Sequence, residues 1–170
     1  MILNIAKLNG LIVKLCRTVN NIVRPTMKLS TKCRYGMRAI IEIARNYNKI
    51  PTKRKDISSN QNIPDSYLEN ILIDLKHNNV ISSIRGAKGG FVLRKAPEKI
   101  TMLEVFESLQ GTISLIDCID TPSVCSRNKR CVVRPVWEDM QKAQERVLQN
   151  ITIKSLLEKE KELEVIDFNI

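Results

Sequence analysis

Between residues 53 and 93 the chain shows two short helical patterns separated by a three-residue break and followed by a glycine-rich alternating segment. The apolar spacing predicts one helix over 53–61, with Thr52 as its cap, and another over 65–78. The residues "NIP" separate the two helices. The next stretch, "VISSIRGAKGGFVL", predicts a β-hairpin with a basic, glycine-rich tip. Two helices joined by so short a turn are typical of a helix-turn-helix.

The segment before this unit predicts another helix over 31–47, with Ser30 as its cap and with Met37, Ile40 and Ala44 at helical spacing. Three helices followed by a basic hairpin indicate a winged helix. The predicted fold is therefore mainly α, with a small β-hairpin wing on a winged helix-turn-helix. A small helical core with a hairpin and no DNA-binding role is the alternative.

The second half predicts a helix at "KITMLEVFESLQG", where Thr101 and Glu104 have capping-box spacing. A long helix is predicted over 132–150, and its apolar residues recur every three or four positions. An amphipathic helix of this length outside the DNA-binding unit predicts a dimerisation element. The predicted organisation is a winged helix-turn-helix over 27–95, a connecting helix and cysteine loop over 96–131, and a dimerisation helix and tail over 132–170.

Charge divides the chain at the same place. The net charge is +10, but residues 27–95 carry 14 Lys or Arg against 5 Asp or Glu, whereas residues 96–170 carry 10 against 13. A strongly basic half favours a polyanionic partner, with nucleic acid ahead of an acidic membrane surface. We therefore expect only the first half to contact DNA.

Residues 1–26 are basic, apolar and free of acids, and we expect them to be an extension outside the fold, with Met27 opening the folded part. An organelle transit peptide and a surface amphipathic helix are the alternatives. No apolar run is long enough to cross a membrane. Because five cysteines do not make an even set and no secretion signal precedes them, a reducing cytoplasm is expected. The chain shows no hydrolase triad and no phosphate-binding glycine loop. An enzyme is therefore not predicted.

Three of the five cysteines lie in "CIDTPSVCSRNKRC", residues 118–131. In a chain without a disulfide framework, clustered thiols indicate metal or redox chemistry. Iron–sulfur clusters require thiolates, and cations between the thiols offset the charge of a cluster. A thiol switch and a zinc site are the alternatives, although the cysteine pairs two to four residues apart that zinc sites use are missing.

The blocks "MKLSTKCRYGMRAIIEIA" and "SYLENILIDLKHNNVISSIRGAKGGFVL", with the cysteine loop followed by "VW", resemble the Rrf-type winged-helix regulators. The resemblance implies a homodimeric repressor that binds double-stranded DNA at an operator with two half-sites. It implies that the helix over 65–78 reads bases with Ser66, Tyr67, Glu69 and Asn70, and that Arg85 enters the minor groove. It further implies phosphate contacts from five cations: Lys28, Lys32, Arg34, Lys53 and Lys88.

The cluster-binding branch of that family implies an iron–sulfur cluster, with [2Fe-2S] favoured over [4Fe-4S], on Cys118, Cys125 and Cys131. Its fourth ligand is a His three residues after the third cysteine, where this chain has Arg134. The nitrite-sensitive branch uses an Asp from the partner's first helix, where this chain has Arg34. An open coordination site remains, or an oxygen ligand from one of four residues: Asp117, Asp120, Ser126 or Glu138.

The function expected from the resemblance is sensing of cluster or redox status, with control of cluster-assembly or cysteine-metabolism genes. Two alternatives stay open. One is a nitric oxide or thiol redox sensor of the same fold. The other is a metal-carrying or scaffold protein that does not bind DNA.

Overall fold

The computed structural model describes residues 29–167. Within that range it has seven α-helices and one two-stranded antiparallel sheet, so the predicted mainly α fold with a hairpin is confirmed. The helices are α1 (Thr31–Arg45), α2 (Arg54–Gln61), α3 (Asp65–His77), α4 (Met102–Gln110), α5 (Asp117–Asp120), α6 (Arg134–Gln149) and α7 (Ile153–Asp167). The strands are β1 (Ile81–Ile84) and β2 (Gly90–Leu93), and short 3-10 turns occur at Pro97–Lys99, Pro122–Val124 and Asn128–Arg130.

A single hydrophobic cluster joins α1, α2, α3 and α4 to the hairpin and to the start of α7. Ile40 of α1, Ile71 of α3 and Val105 of α4 are fully buried in it. The start of α7 is fixed to the start of α4, because the Ile153 amide donates to the Ile100 carbonyl at 2.9 Å and the Met102 amide donates to the Ile151 carbonyl at 2.8 Å. None of the helices described is both long and apolar enough to cross a membrane.

The turn between α2 and α3 is closed by local hydrogen bonds. Asn62 adopts a left-handed conformation with φ 48°, which Asn tolerates better than most residues. The Ile63 amide then donates to the Ser58 carbonyl at 3.0 Å, and the Ser58 hydroxyl donates to the Ile63 carbonyl at 2.7 Å. Ile63 is buried, so the turn is anchored in the core and sets the direction in which α3 leaves.

A buried carboxylate ties α1 to the end of α2. Glu42 accepts hydrogen bonds from the Asn60 amide group and from the Gln61 amide group, both at 2.8 Å, and it pairs with Arg45. A buried carboxylate must be hydrogen-bonded to be tolerated, and these donors come from the last turn of α2. The network therefore helps hold the helix-turn-helix on α1.

Thr52 is not the cap of α2, so that prediction is wrong. Lys53 takes the cap position without a side-chain hydrogen bond. Thr52 instead extends the hairpin: its amide donates to the Phe91 carbonyl at 3.0 Å, and the Phe91 amide donates to the Thr52 carbonyl at 2.9 Å. Its hydroxyl accepts from Asn46 at 3.1 Å, so neither backbone nor side chain is free to cap the helix.

The predicted caps of α1 and α4 do form. The Ser30 hydroxyl accepts from the Cys33 amide at 3.1 Å, and the Thr101 hydroxyl accepts from the Glu104 amide at 3.1 Å. The Glu104 side chain, the second member of the predicted capping box, forms an ion pair with Lys95 at 2.8 Å.

Gly36 lets α1 and α4 pack closely. A Cβ added there would lie 2.2 Å from Cδ1 and 3.0 Å from Cδ2 of Leu109, which is buried. We expect Gly36→Ala to lower the free energy of unfolding by about 1 kcal/mol, because the strain of overpacking exceeds the helix propensity that Ala adds. Urea denaturation measures the change. Leu109→Val should relieve the clash, so a double variant that loses the full sum of the two single changes would contradict this packing account.

Candidate nucleic-acid interface and cysteine loop

One face of α3 is buried, and the opposite face is exposed and mostly polar, with Ile73 as its exposed apolar residue. Leu68, Ile71, Leu72 and Leu75 form the buried face. Three of the predicted base readers lie on the exposed face: Ser66, Glu69 and Asn70. The helix thus presents a row of hydrogen-bonding side chains to the outside, as a groove-reading helix requires.

Tyr67, the fourth predicted reader, is half-buried. Its ring makes an edge-to-face contact with Tyr35, with centroids 5.8 Å apart, and the Arg38 guanidinium lies 5.8 Å from the Tyr35 ring centroid. Arg38 also donates to the backbone carbonyl of Gln61. Tyr67 is therefore anchored to α1, with part of its side chain left accessible.

Arg54 joins the start of α2 to the exposed face of α3. Its Nη2 lies 3.0 Å from Oδ2 of Asp65, and its Nη1 lies 3.1 Å from Oε2 of Glu69. We call this arrangement of three residues the Arg54 clasp. Arg54 was not among the predicted site residues, and the basic run "KRK" at 53–55 is the only signal for it in the sequence.

The residues predicted to contact phosphates differ in whether an acidic side chain already pairs with them. Lys32 Nζ lies 2.6 Å from Oδ2 of Asp74, so α1 and α3 are linked by this ion pair. Arg34 and Lys53 are exposed. Lys28 lies outside the described residues.

The tip of the hairpin carries the two cations that were predicted to contact DNA. Arg85 and Lys88 are exposed on either side of Gly86, which has φ +105°. The Gly89 amide donates to the Gly86 carbonyl at 2.9 Å and closes the tip. Backbone pairing runs from Ile81 opposite Leu93 to Ile84 opposite Gly90. The two cations therefore lie at the end of a hydrogen-bonded hairpin, which holds their backbone in place.

The apolar face of α6 is uncovered over much of its length. The helix has no fully buried residue, and Val136 and Val147 are 53 and 59 % exposed. A helix of 16 residues with an unburied apolar stripe is typical of a surface that a second chain covers.

The three thiols of the cysteine loop are half-exposed and unpaired. In the portion of the chain that the structure describes, no group of three or more His, Cys, Asp or Glu side chains is arranged to hold a metal ion. Cys125 lines an open cavity of about 870 Å³ together with Arg127, Lys129 and Arg130. The loop thus supplies soft donors in a cationic setting, but a metal group would require Cys118, Cys125 and Cys131 to close around it.

Arg134 occupies the centre of this region. Its Nε donates to Oε1 of Glu138 at 2.7 Å, and its Nη1 donates to the Cys118 carbonyl and to Oδ1 of Asn128. The guanidinium therefore links α6 to the start of the cysteine loop at Cys118 and to Asn128 within the loop. A guanidinium stays protonated and cannot serve as a metal ligand.

The four candidate oxygen ligands differ in exposure and in whether Arg134 already binds them. Glu138 is engaged by Arg134, while Asp117, Asp120 and Ser126 are exposed. Cys33, by contrast, is a packing residue: it is 1 % exposed, and burial raises the pKa of its thiol.

A helix-turn-helix with an exposed polar α3, followed by a basic hairpin, defines a winged-helix transcription regulator. Residues 29–159 match the model of Rrf2, "Iron-dependent Transcriptional regulator". The chain belongs to the Rrf2 family of transcription regulators. This is a non-enzyme class, so the prediction that the chain is not an enzyme is confirmed.

Relatives and a solved structure agree with this assignment. The chain is 33 % identical to the HTH-type transcriptional regulator CymR of Bacillus subtilis, over 76 % of this chain and 89 % of CymR. It is 30 % identical to the HTH-type transcriptional regulator IscR of Erwinia tasmaniensis, over 83 % of this chain and 85 % of IscR. The solved structure of CymR, the global cysteine regulator of B. subtilis, superposes with a TM-score of 0.67 at 32 % identity, covering 79 % of this chain and 98 % of CymR.

Proposed function

We propose that the chain is a homodimeric repressor that binds double-stranded DNA at an operator with two half-sites. The observation that carries this is the exposed polar face of α3, where Ser66, Glu69 and Asn70 stand beside a buried apolar face. Side chains of this kind pair with base edges in the major groove. A regulator that binds chromosomal DNA acts in the cytoplasm, where we place this chain.

The dimer is supported by α6. Its exposed apolar stripe gives a second copy a surface to cover, and two copies supply the two recognition helices that two half-sites need. The cations on α1, at the start of α2 and on the hairpin then bind DNA phosphates on either side of each recognition helix.

For the signal, we propose that the cysteine loop holds an iron–sulfur cluster, [2Fe-2S] rather than [4Fe-4S], on Cys118, Cys125 and Cys131. The donor types support this, because three thiols lie on one loop with Arg127, Lys129 and Arg130 between the last two. A bound cluster supplies a redox-sensitive charge and covalent links between the ends of the loop. The chain's own residues then couple the loop to α6 through Arg134.

A thiol redox switch on the same loop is the second candidate. It is supported by the three free, half-exposed thiols on one loop, because a disulfide needs only two of them. Either signal fits control of cluster-assembly or cysteine-metabolism genes, since one relative is named a global cysteine regulator.

DNA binding is tested by comparing Asn70→Ala with Lys88→Ala on an operator selected from randomised duplex DNA. Asn70→Ala should lose about 1–3 kcal/mol at one base pair and little elsewhere, because an amide reads a base edge. Lys88→Ala should weaken all sequences alike and reduce the slope of log K against log salt by about 1. Equal affinity of the parent for selected and random duplexes would rule out the recognition helix.

A further inference from the structure

Resting on the proposed reading of DNA by α3, we propose that Arg54 is a positioning residue that sets the base preference of Glu69 through the Arg54 clasp. Arg54 is the first residue of α2, and it reaches across the turn to both acids on α3. Asp65 and Glu69 are one helical turn apart and therefore share a face. The guanidinium forms an ion pair with each carboxylate, through a different nitrogen for each.

The clasp leaves Glu69 able to read a base. Arg54 contacts Oε2 of Glu69 at 3.1 Å, so Oε1 remains to accept from a base amino group such as cytosine N4. A free Glu side chain samples many rotamers and loses that freedom when it binds. A Glu held by a guanidinium, itself held by Asp65 at 3.0 Å, is ordered before DNA arrives.

The clasp also decides the charge that enters the groove. Asp65 and Glu69 together carry two negative charges on the face that meets DNA, and phosphates repel them. Arg54 offsets one of these charges. The three side chains are between 40 and 58 % exposed, and exposed ion pairs add little to folding stability. The main effect of the clasp is therefore expected on recognition.

Charge and position can be separated with a charge-matched variant. Arg54→Gln alone removes the clasp but leaves the site one charge more negative. Arg54→Gln with Asp65→Asn also removes the clasp, yet it restores the net charge of the parent site. Lys53→Gln removes one exposed cation from the neighbouring position without touching the clasp.

The experiment uses the full chain and an operator that the parent selects from randomised duplex DNA. Glu69→Gln identifies the base pair that Glu69 reads, as the one whose preference changes. Affinities are then measured for duplexes that differ at this base pair, and thermal midpoints check that every variant folds.

We expect Arg54→Gln/Asp65→Asn to lose about fivefold or more of the discrimination at this base pair, at the parent's thermal midpoint and with unchanged affinity for random DNA. Adding Glu69→Gln should cause no further loss there. Lys53→Gln should weaken all duplexes by the same factor and keep the discrimination.

If the charge-matched variant retains the parent's discrimination while Glu69→Gln loses it, the positioning role is wrong. Uniform weakening of all duplexes would likewise overturn it, because Arg54 would then act as a phosphate contact. A parent that does not distinguish its selected operator from random DNA overturns the proposed function itself, and with it the role of the clasp.

Discussion

Val147→Glu should convert the protein to a monomer and weaken binding to a two-half-site operator by about a hundredfold or more. Val147 lies on the apolar stripe of α6 and is 59 % exposed in the single chain, so a Glu there does not disturb the chain's own core. In a dimer it places a charge in the buried seam, which is costly without a partner. A monomer holds one half-site at a time and loses the gain of linked binding.

Gln149→Glu is the matched control. It adds the same charge two residues away, at an exposed position off the stripe. Sedimentation measures the oligomeric state, and a gel-shift titration measures operator affinity. If Val147→Glu remains as dimeric as Gln149→Glu, α6 is not the dimer interface, and another surface must bring the two copies together.

Cys125→Ala should reduce the iron and sulfide content of protein purified without oxygen to background. Cys125 lines the cation-rich cavity of the cysteine loop, and a cluster deprived of one of three thiolate ligands loses its attachment. Cys118→Ala and Cys131→Ala should have the same effect. Metal analysis and the absorption spectrum give the result.

Cys33→Ala is the control, because its thiol is buried in the core and is away from the loop in sequence. It should keep the parent's iron content. A parent without iron, or three loop variants that all keep the parent's iron, would show that the cluster proposal is wrong. The thiol switch would then be tested by mass spectrometry after mild oxidation, where a disulfide between two loop cysteines is the expected product.

The order and the approximate bounds of α1, α2, α3, α4, α6 and the hairpin could be predicted from the sequence, whereas the short α5 lies where a loop was predicted. Helical spacing in 31–45 and 65–77 and the glycines of the hairpin tip act over a few residues, so local chemistry suffices to specify them. The Ser30 and Thr101 caps follow for the same reason. The exposed row on α3 was also predictable, because a buried stripe at helical spacing fixes which residues face outward.

Contacts between distant segments could not be predicted in this way. Thr52 has the residue type of a helix cap, but its backbone pairs with Phe91 once the hairpin packs beside it. The spacing of Cys118, Cys125 and Cys131 identifies a thiol loop, yet it does not determine how far apart the sulfur atoms lie. In the sequence Arg134 is notable only for standing where the related cluster-binding regulators have a His ligand, and the fold makes it the link between that loop and α6.

The sequence by itself determined the class of protein, a basic winged helix-turn-helix with a thiol loop and an amphipathic helix. Each of these features follows from local periodicity, turn residues and charge. Only the tertiary structure decided which side chains meet. Arg54 is one cation among many in the sequence, and it becomes a partner of Glu69 because the closed turn at Asn62 and the buried Ile63 bring the start of α2 beside α3. Such pairings depend on how helices pack, and packing is settled by the whole core rather than by neighbouring residues.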